Sequence, residues 1–593
     1  MTVDAWITAA AVAGVLIALA RELAPPPFVI LGAVVGLLLL DVITTEQALA
    51  GFANPAPLTV AALYVVARAV QRTGGVTAAV DMLLAGAHDG DRPPSARGVL
   101  MRMLPPVMAT SALLNNTPIV AVLAPNLATW AEERGLSSSK LLIPLSYAAI
   151  LGGVLTAVGT STTLVVSGLM EQAGLAPLGL LEPLRFGLPV AVVGGAVVAM
   201  AAPRLLPTRS AAHQSFRVGA KAFTLSVQVI ADGPVDGVTI ADAGLRALRG
   251  VYCVQVRRGD QVMAPVGPDI QLLGGDELTF VGNVHRVVDL QHRRGLSSTE
   301  AHHASAIGGT TQVFYEGVIG QSSPLVGETL KQVGFRARYG AAVVAIHRAG
   351  APVGDKLGEV TLKVGDTLLC LAGAGFAGRA QESGTFALVA AIGAEAPLDK
   401  RRTRVALLVL AGMLVLAGSG LLTILEASLA AALALVATKV MTAAQARQAV
   451  DVPVIVVIAA AFGLGAAVES SGLADAIAGL VETVAGPFGT VGLVVGLILL
   501  VVVLTELITN NAAAVLAFPV ALATAERADL AARPLLLAVA VAASLSFVTP
   551  LGYQTNLMVY GLGGYRFGDF ARLGVPVAVV SVLALSTAVF LQV

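Results

Sequence analysis

Long apolar runs and short polar joints alternate along this chain. "AWITAAAVAGVLIALA" (5–20), "FVILGAVVGLLLL" (28–40) and "VGLVVGLILLVVVL" (491–504) hold no charged residue. With their flanks such runs reach about 17–22 residues, enough for a helix to cross the ~30 Å hydrocarbon layer. From about 204 to 402 the runs shorten to strand length and charge returns. The pattern predicts an α-helical polytopic membrane protein in three parts: a membrane segment over 1–203, a soluble α+β insert over 204–402, and a second membrane segment over 403–593.

The insert is internally duplicated. "VDGVTIADAGLRALRGVYCVQVRRGDQ" (235–261) is answered by "LVGETLKQVGFRARYGAAVVAIHRAGA" (325–351). Gly237, Gly244, Gly250 and Gly275-Asp276 recur at Gly327, Gly334, Gly340 and Gly365-Asp366, a constant offset of 90. Each copy, about 215–283 and 312–375, reads as strand, short helix and apolar hairpin, with 283–312 as a linker.

The membrane segments repeat as well. "RFGLPVAVV" (185–193) returns as "RLGVPVAVV" (572–580). Thr44, Gln47, Ala48, Pro55 and Gly74 return at Thr442, Gln445, Ala446, Pro453 and Gly472, and Ser111, Asn116 and Pro125 at Thr505, Asn510 and Pro519. Each copy offers three spans, a hairpin, an interrupted helix and a final span. If the hairpin enters and leaves on one side, each copy crosses an odd number of times and the second is inverted. Most basic residues of the membrane segments, among them Arg21, Arg68, Arg72, Arg97, Arg102, Arg134, Lys140, Lys439, Arg447 and Arg572, then share a face with the insert. Only Arg185, Arg527 and Arg533 fall opposite. The positive-inside rule places the insert in the cytoplasm and both termini outside. Inverted repeats with broken helices are the architecture of secondary transporters, whose sites lie near the midplane.

The chemistry concentrates at the two hairpins. "LLNNTPIV" (113–120) and "LITNNAAAV" (507–515) set adjacent carboxamides in apolar surroundings, where each unpaired amide costs roughly 2–7 kcal/mol. A re-entrant tip tolerates exposed backbone only where it lines a cavity or is buried in protein. Thr117 as N-cap and Pro118 as first residue predict a helix starting at 117–118, with a second starting beside Asn511. Two such N-termini make an anion site without a buried lysine or arginine. "TAVGTST" (156–162) and "TPLGYQT" (549–555) share T-x-x-G-x-x-T, with breaks at Gly159 and Gly552 whose freed carbonyls and flanking hydroxyls suit Na⁺. On their own the Asn pairs are also compatible with structural caps, and the glycine segments with kinks.

These motifs resemble the divalent anion:sodium symporter family (solute carrier family 13) over both membrane segments, and the insert copies resemble TrkA C-terminal (RCK_C) modules. Family members carry Ser-Asn-Thr at each tip; here the triplets are Asn115-Asn116-Thr117 and Thr509-Asn510-Asn511. The resemblance implies substrate contacts from Asn115, Asn116, Thr117, Thr509, Asn510 and Asn511, with Thr162 and Thr555 beside them. It implies one Na⁺ site at Ser111, Asn115, Asn116 and Gly159 and another at Thr505, Thr509, Asn510 and Gly552. It further implies a homodimer, an elevator motion, a bacterial inner-membrane location and Na⁺-coupled uptake of a divalent oxyanion, sulfate first and dicarboxylates second.

Glu506 is the carboxylate deep in an apolar arm, opposite Ala112 in the other copy. Intramembrane acids default to functional roles, so it is a candidate coupling acid and the support for a proton-coupled antiporter or arsenite-type efflux protein. The other reading is a carboxylate satisfied by local backbone donors. Arg185 and Arg572 read as interface anchors. The insert reads as a dimerising platform, or as a sensor of a nucleotide or ion. Composition adds boundaries: the 593 residues are 56% hydrophobic and 12% charged with net charge zero, which points away from nucleic acid. Only Cys253 and Cys370 are present, implying neither disulfide nor metal site. No cleavable signal, potassium-filter motif or enzyme motif is evident.

Overall fold

The computed structural model describes residues 1–74, 95–209 and 400–593 apart from Glu22, and in the insert 224–245, 251–282, 296–298, 312–373, 376, 380 and 385–391 apart from short internal stretches. The chain divides into two compact units. One comprises Met1–Thr208, Pro397–Val559 and Arg566–Val593, the other Arg209–Ala396 with Tyr560–Tyr565. The limits expected at 204 and 402 shift slightly inward, because the flanking helices run to Leu205 and start at Lys400.

The first membrane half contains α1 (Val3–Ala20), α2 (Pro26–Leu39), α3 (Thr45–Ala53), α4 (Pro55–Arg72), α5 (Ala96–Leu113), α6 (Asn116–Glu133), α7 (Leu142–Gly153), α8 (Ser161–Gln172) and α9 (Leu184–Leu205). Thr44 and Gln47 form a capping box that starts α3. Pro55 opens α4 directly after it, so the two make one span with a joint at Asn54. The Asn54 amide satisfies that joint: its oxygen accepts from Ala56 N (2.9 Å) and its nitrogen donates to the Gly168 carbonyl of α8 (3.0 Å).

In the insert, β1 (Thr224–Val229), β2 (Val251–Arg258), β3 (Gln261–Met263), β4 (Glu277–Gly282) and β5 (Leu296–Ser298) form an antiparallel sheet ordered β3-β2-β4-β1-β5. β6 (Gln312–Ile319), α10 (Phe335–Tyr339), β7 (Ala341–Arg348), β8 (Ala351–Pro352), β9 (Thr367–Gly373) and β10 (Phe386–Ala391) repeat the plan, with strands ordered β8-β7-β9-β6-β10. The offset of 90 survives in detail. Irregularities fall at Cys253/Gln255 and Val343/Ala345, and the isolated bridges Thr239–Gln271 and Thr329–Thr361 correspond. Arg258 grips Asp276 through Nε and Nη2 (2.8 and 2.7 Å), as Arg348 grips Asp366 (2.7 and 2.8 Å). Gly275 and Gly365 adopt left-handed φ of 93° and 81° at the turn before each carboxylate, a conformation that favours glycine. Of the expected linker 283–312, residues 283–295 and 299–311 lie outside the described residues.

The second half contains α11 (Lys400–Gly418), α12 (Ile424–Ala437), α13 (Ala443–Ala449), α14 (Val452–Ser470), α15 (Leu473–Ala485), α16 (Gly489–Leu507), α17 (Asn510–Arg527), α18 (Ala532–Ala542), α19 (Gln554–Leu562) and α20 (Phe567–Phe590). Thr442 and Gln445 form the capping box of α13, matching Thr44 and Gln47. Among the described residues five helical stretches are long and apolar enough to cross a membrane: Thr45–Arg72, Leu184–Leu205, Val452–Ser470, Leu473–Leu507 and Phe567–Phe590. This is a polytopic membrane protein with a sheet-containing insert.

Two of the three arginines expected to lie opposite the other basic residues, Arg527 and Arg533, form ion pairs. Arg527 pairs with Glu482 (2.7 Å). Arg533 grips Glu182 through two bonds (2.6 and 2.8 Å) and donates to the Ala176 and Pro177 carbonyls, tying the start of α18 to the joint before α9. Burial raises the Glu182 pKa, but the hydrogen bonds from Arg533 and Gly179 N–H and the nearby guanidinium charges bring it below the ordinary 4.5. A depressed carboxylate stabilises the fold above its unfolded pKa and loses that contribution as pH falls through the folded value. The thermal midpoint of the purified protein should therefore drop below pH 4.5, and Glu182→Gln should flatten part of that drop.

Candidate functional site

Each hairpin is pinned to its own half in the same way. Ser111 Oγ donates to the Ala149 carbonyl (2.8 Å), and Thr505 Oγ1 to Ala543 (2.5 Å). Ser111 lies 2.5 Å from the Asn116 amide, and Thr505 Oγ1 3.1 Å from Asn510 Oδ1. Thr156 Oγ1 donates to the Ala112 carbonyl (2.5 Å) and accepts from Gly159 N (3.2 Å); Thr549 Oγ1 does so with the Glu506 carbonyl (3.4 Å) and Gly552 N (3.1 Å). Ser111, Asn116 and Gly159 are thus brought together, as are Thr505, Asn510 and Gly552.

The helices at the tips start one residue earlier than the expected 117–118: α6 begins at Asn116 and α17 at Asn510. The cap is Asn115, not Thr117, with Asn115 Oδ1 3.5 Å from Thr117 N. Thr117 is freed to donate to Gln554 Oε1 (3.2 Å). At the other tip Asn511 Oδ1 accepts from Ser161 Oγ (3.1 Å) and Thr162 Oγ1 (3.4 Å). Thr117 corresponds to Asn511, and Gln554 to Ser161, so each tip meets the break of the opposite half through equivalent residues. Such reciprocity is the mark of a two-fold relation. Thr555 Oγ1 accepts from Ser146 Oγ (2.8 Å).

The surroundings of Asn116 also depart from the two-fold. Asn116, fully buried, satisfies its amide with the nitrogen towards Ser111 Oγ (2.5 Å), the Ala149 carbonyl (3.0 Å) and the Gly159 carbonyl (3.3 Å). Its oxygen then accepts from the Tyr553 hydroxyl (2.5 Å). Tyr553 corresponds to Thr160, to which its hydroxyl also reaches (3.4 Å). Tyr553, Gln554 and Ser161 lie inside the T-x-x-G-x-x-T stretches, at positions that the repeat pattern treats as spacers. Tyr553→Phe removes one bond of about 0.5–1.5 kcal/mol net. Uptake should fall severalfold while the yield of folded protein holds, as size-exclusion profiles beside transport assays will show.

Glu506 is occupied. Oε1 accepts from Phe547 N (2.7 Å) and Val548 N (2.8 Å), and Oε2 from Thr549 N (2.9 Å). Of the two readings left open by the sequence, the carboxylate satisfied by backbone donors is the one its partners describe. At the equivalent place in the first half stands Ala112.

The cradle therefore consists of amides, hydroxyls, freed carbonyls and two helix N-termini. Among the described residues no lysine or arginine enters these hydrogen bonds. Hydroxyl and carbonyl oxygens suit hard cations, while N-terminal amides suit an anion.

A polytopic fold with paired re-entrant tips and broken helices around such a cradle defines a secondary transporter of anions. The chain belongs to the citrate transporter family, whose pattern matches residues 15–530 and 490–593, and it is a member of the wider divalent anion:sodium symporter group. It is 34% identical to the "Putative sulfur deprivation response regulator" of Chlamydomonas reinhardtii, covering 92% of this chain and 94% of that protein. It is 32% identical to an uncharacterized transporter of Synechocystis sp., covering 92% and 90%. Sodium/sulfate cotransporter 1 of Chlamydomonas reinhardtii is 26% identical, covering 90% and 84%. The family is one of transporters, not enzymes.

Proposed function

We propose that this protein is a Na⁺-coupled symporter of a divalent oxyanion, with sulfate the first candidate. The observation that carries the reading is the cradle: two half-sites of neutral oxygens at Ser111, Asn116, Gly159 and Thr505, Asn510, Gly552, joined by reciprocal contacts between tip and break. Relatives named as sodium/sulfate cotransporters support both the ion and the anion. Bringing two negative charges inward against ~100 mV costs about 4.6 kcal/mol; two Na⁺ cancel that charge, and a third makes uptake voltage-driven. Asn115, Thr509 and Asn511 complete the tips in this reading, with Thr162 beside them. A homodimer working by an elevator motion in the bacterial inner membrane, with the insert cytoplasmic as a TrkA-C-like platform, belongs to the same proposal.

Dicarboxylates are the second reading, favoured by the citrate transporter family itself. Proton coupling through Glu506 has little geometric support, because the three partners of the carboxylate are all donors. Proteoliposomes test the proposal. Labelled sulfate should enter only with an inward Na⁺ gradient, and Asn116→Ala and Asn510→Ala should each abolish uptake. Succinate, thiosulfate and arsenite as competitors identify the anion, and uptake driven by a proton gradient alone overturns the coupling.

A further inference from the structure

The two half-sites differ at a further pair of positions. Gly153 and Ser546 are equivalent, by the same offset that relates Thr156 to Thr549. In the first half a side chain has no room, for a Cβ at Gly153 would lie 2.5 and 2.8 Å from the two amide heteroatoms of Asn116. In the second half a hydroxymethyl group occupies that place. Ser546 is fully buried, and among the described residues its Oγ has no hydrogen-bond partner. A buried hydroxyl of this kind is normally paired.

Its direction is fixed by what surrounds Gly552. A Cβ built there would lie 2.1 Å from Ser546 Oγ, 3.0 Å from the Thr505 carbonyl oxygen and 3.2 Å from Thr549 Oγ1. Three oxygens thus converge on the missing side chain of Gly552. Thr509 Oγ1, at the adjoining tip, is likewise buried without a partner. In the first half the Asn116 nitrogen faces a different set, Ser111 Oγ and the Ala149 and Gly159 carbonyls. Glu506, the residue next to Thr505, has Ala112 as its counterpart in the first half.

We infer that Ser546 Oγ is an additional ligand of the second cation site, and that this site is therefore the tighter of the two. The inference rests on the Na⁺ reading above. Oxygen number helps to set the affinity of hard-cation sites, and it favours the second half, where Ser546 Oγ has no counterpart at Gly153.

The test uses purified full-length protein in detergent. Thermal unfolding is followed against NaCl, with choline chloride holding ionic strength constant. Wild type should gain stability from Na⁺. Ser546→Ala should raise the half-saturating Na⁺ concentration about tenfold, as should Ser546→Gly, which copies Gly153 and removes any question of fit. Thr505→Ala serves as the reference variant and should shift it as well. If wild type and Thr505→Ala behave so while both Ser546 variants titrate like wild type, the assignment of Ser546 is wrong and the Na⁺ reading stands. If wild type gains nothing from Na⁺ over choline, the Na⁺ reading itself fails and takes the Ser546 assignment with it.

Discussion

Glu506→Leu should yield little or no folded transporter. The substitution orphans the backbone N–H groups of Phe547, Val548 and Thr549, each at about 1–3 kcal/mol. The sum, roughly 3–9 kcal/mol, rivals the whole stability of many domains. Glu506→Gln should fall between leucine and wild type, because its amide oxygen still accepts while its NH₂ opposes a donor. The measurement is the detergent-solubilised monodisperse fraction and its thermal midpoint. A Glu506→Leu protein that folds and transports normally would show that the break between α18 and α19 does not depend on this carboxylate.

Gly159→Ala and Gly552→Ala should both abolish uptake, for different reasons. At Gly159 the new Cβ would lie 2.4 Å from the Gly153 carbonyl oxygen. That neighbour is backbone and cannot turn aside. At Gly552 the closest atom is Ser546 Oγ at 2.1 Å, a side chain. The second lesion should therefore be partly relieved by Ser546→Gly, while the first has no such remedy. Uptake and thermal stability of Gly552→Ala with and without Ser546→Gly measure the difference. Equal damage with and without the companion substitution would mean that the backbone around the break, not the hydroxyl, sets the limit.

Much of this architecture is legible in the sequence because duplication amplifies it. Single weak signals such as Thr44 with Gln47 or Ser111 with Asn116 gain force from their second copies, and the structure joins the same residue pairs in both copies. The insert shows its offset of 90 in the glycines, and the irregularities of both sheets follow it. What escapes the sequence is the partner of each motif. Spacing marks Gly159 and Gly552 as breaks but says nothing of which tip each will face, so Tyr553 and Gln554 pass as spacers. Their contacts to Asn116 and Thr117 span 437 positions. Glu506 carries the same lesson, since its donors lie 41–43 residues downstream. The earlier start of the first tip helix has a local cause: Asn115 takes the capping role that the sequence assigns to Thr117, two residues on.

The contacts of Thr117 with Gln554 and of Asn511 with Ser161 have a consequence for how the molecule is made. A ribosome that has released only the first half has built one jaw of each clasp and neither complete clasp. The cradle closes when the last hundred residues arrive, after the whole insert has been synthesised. Severing the chain within the insert should then yield two inert pieces whose co-expression restores uptake. A primordial single copy would have needed a second molecule opposite it before it could hold any cargo.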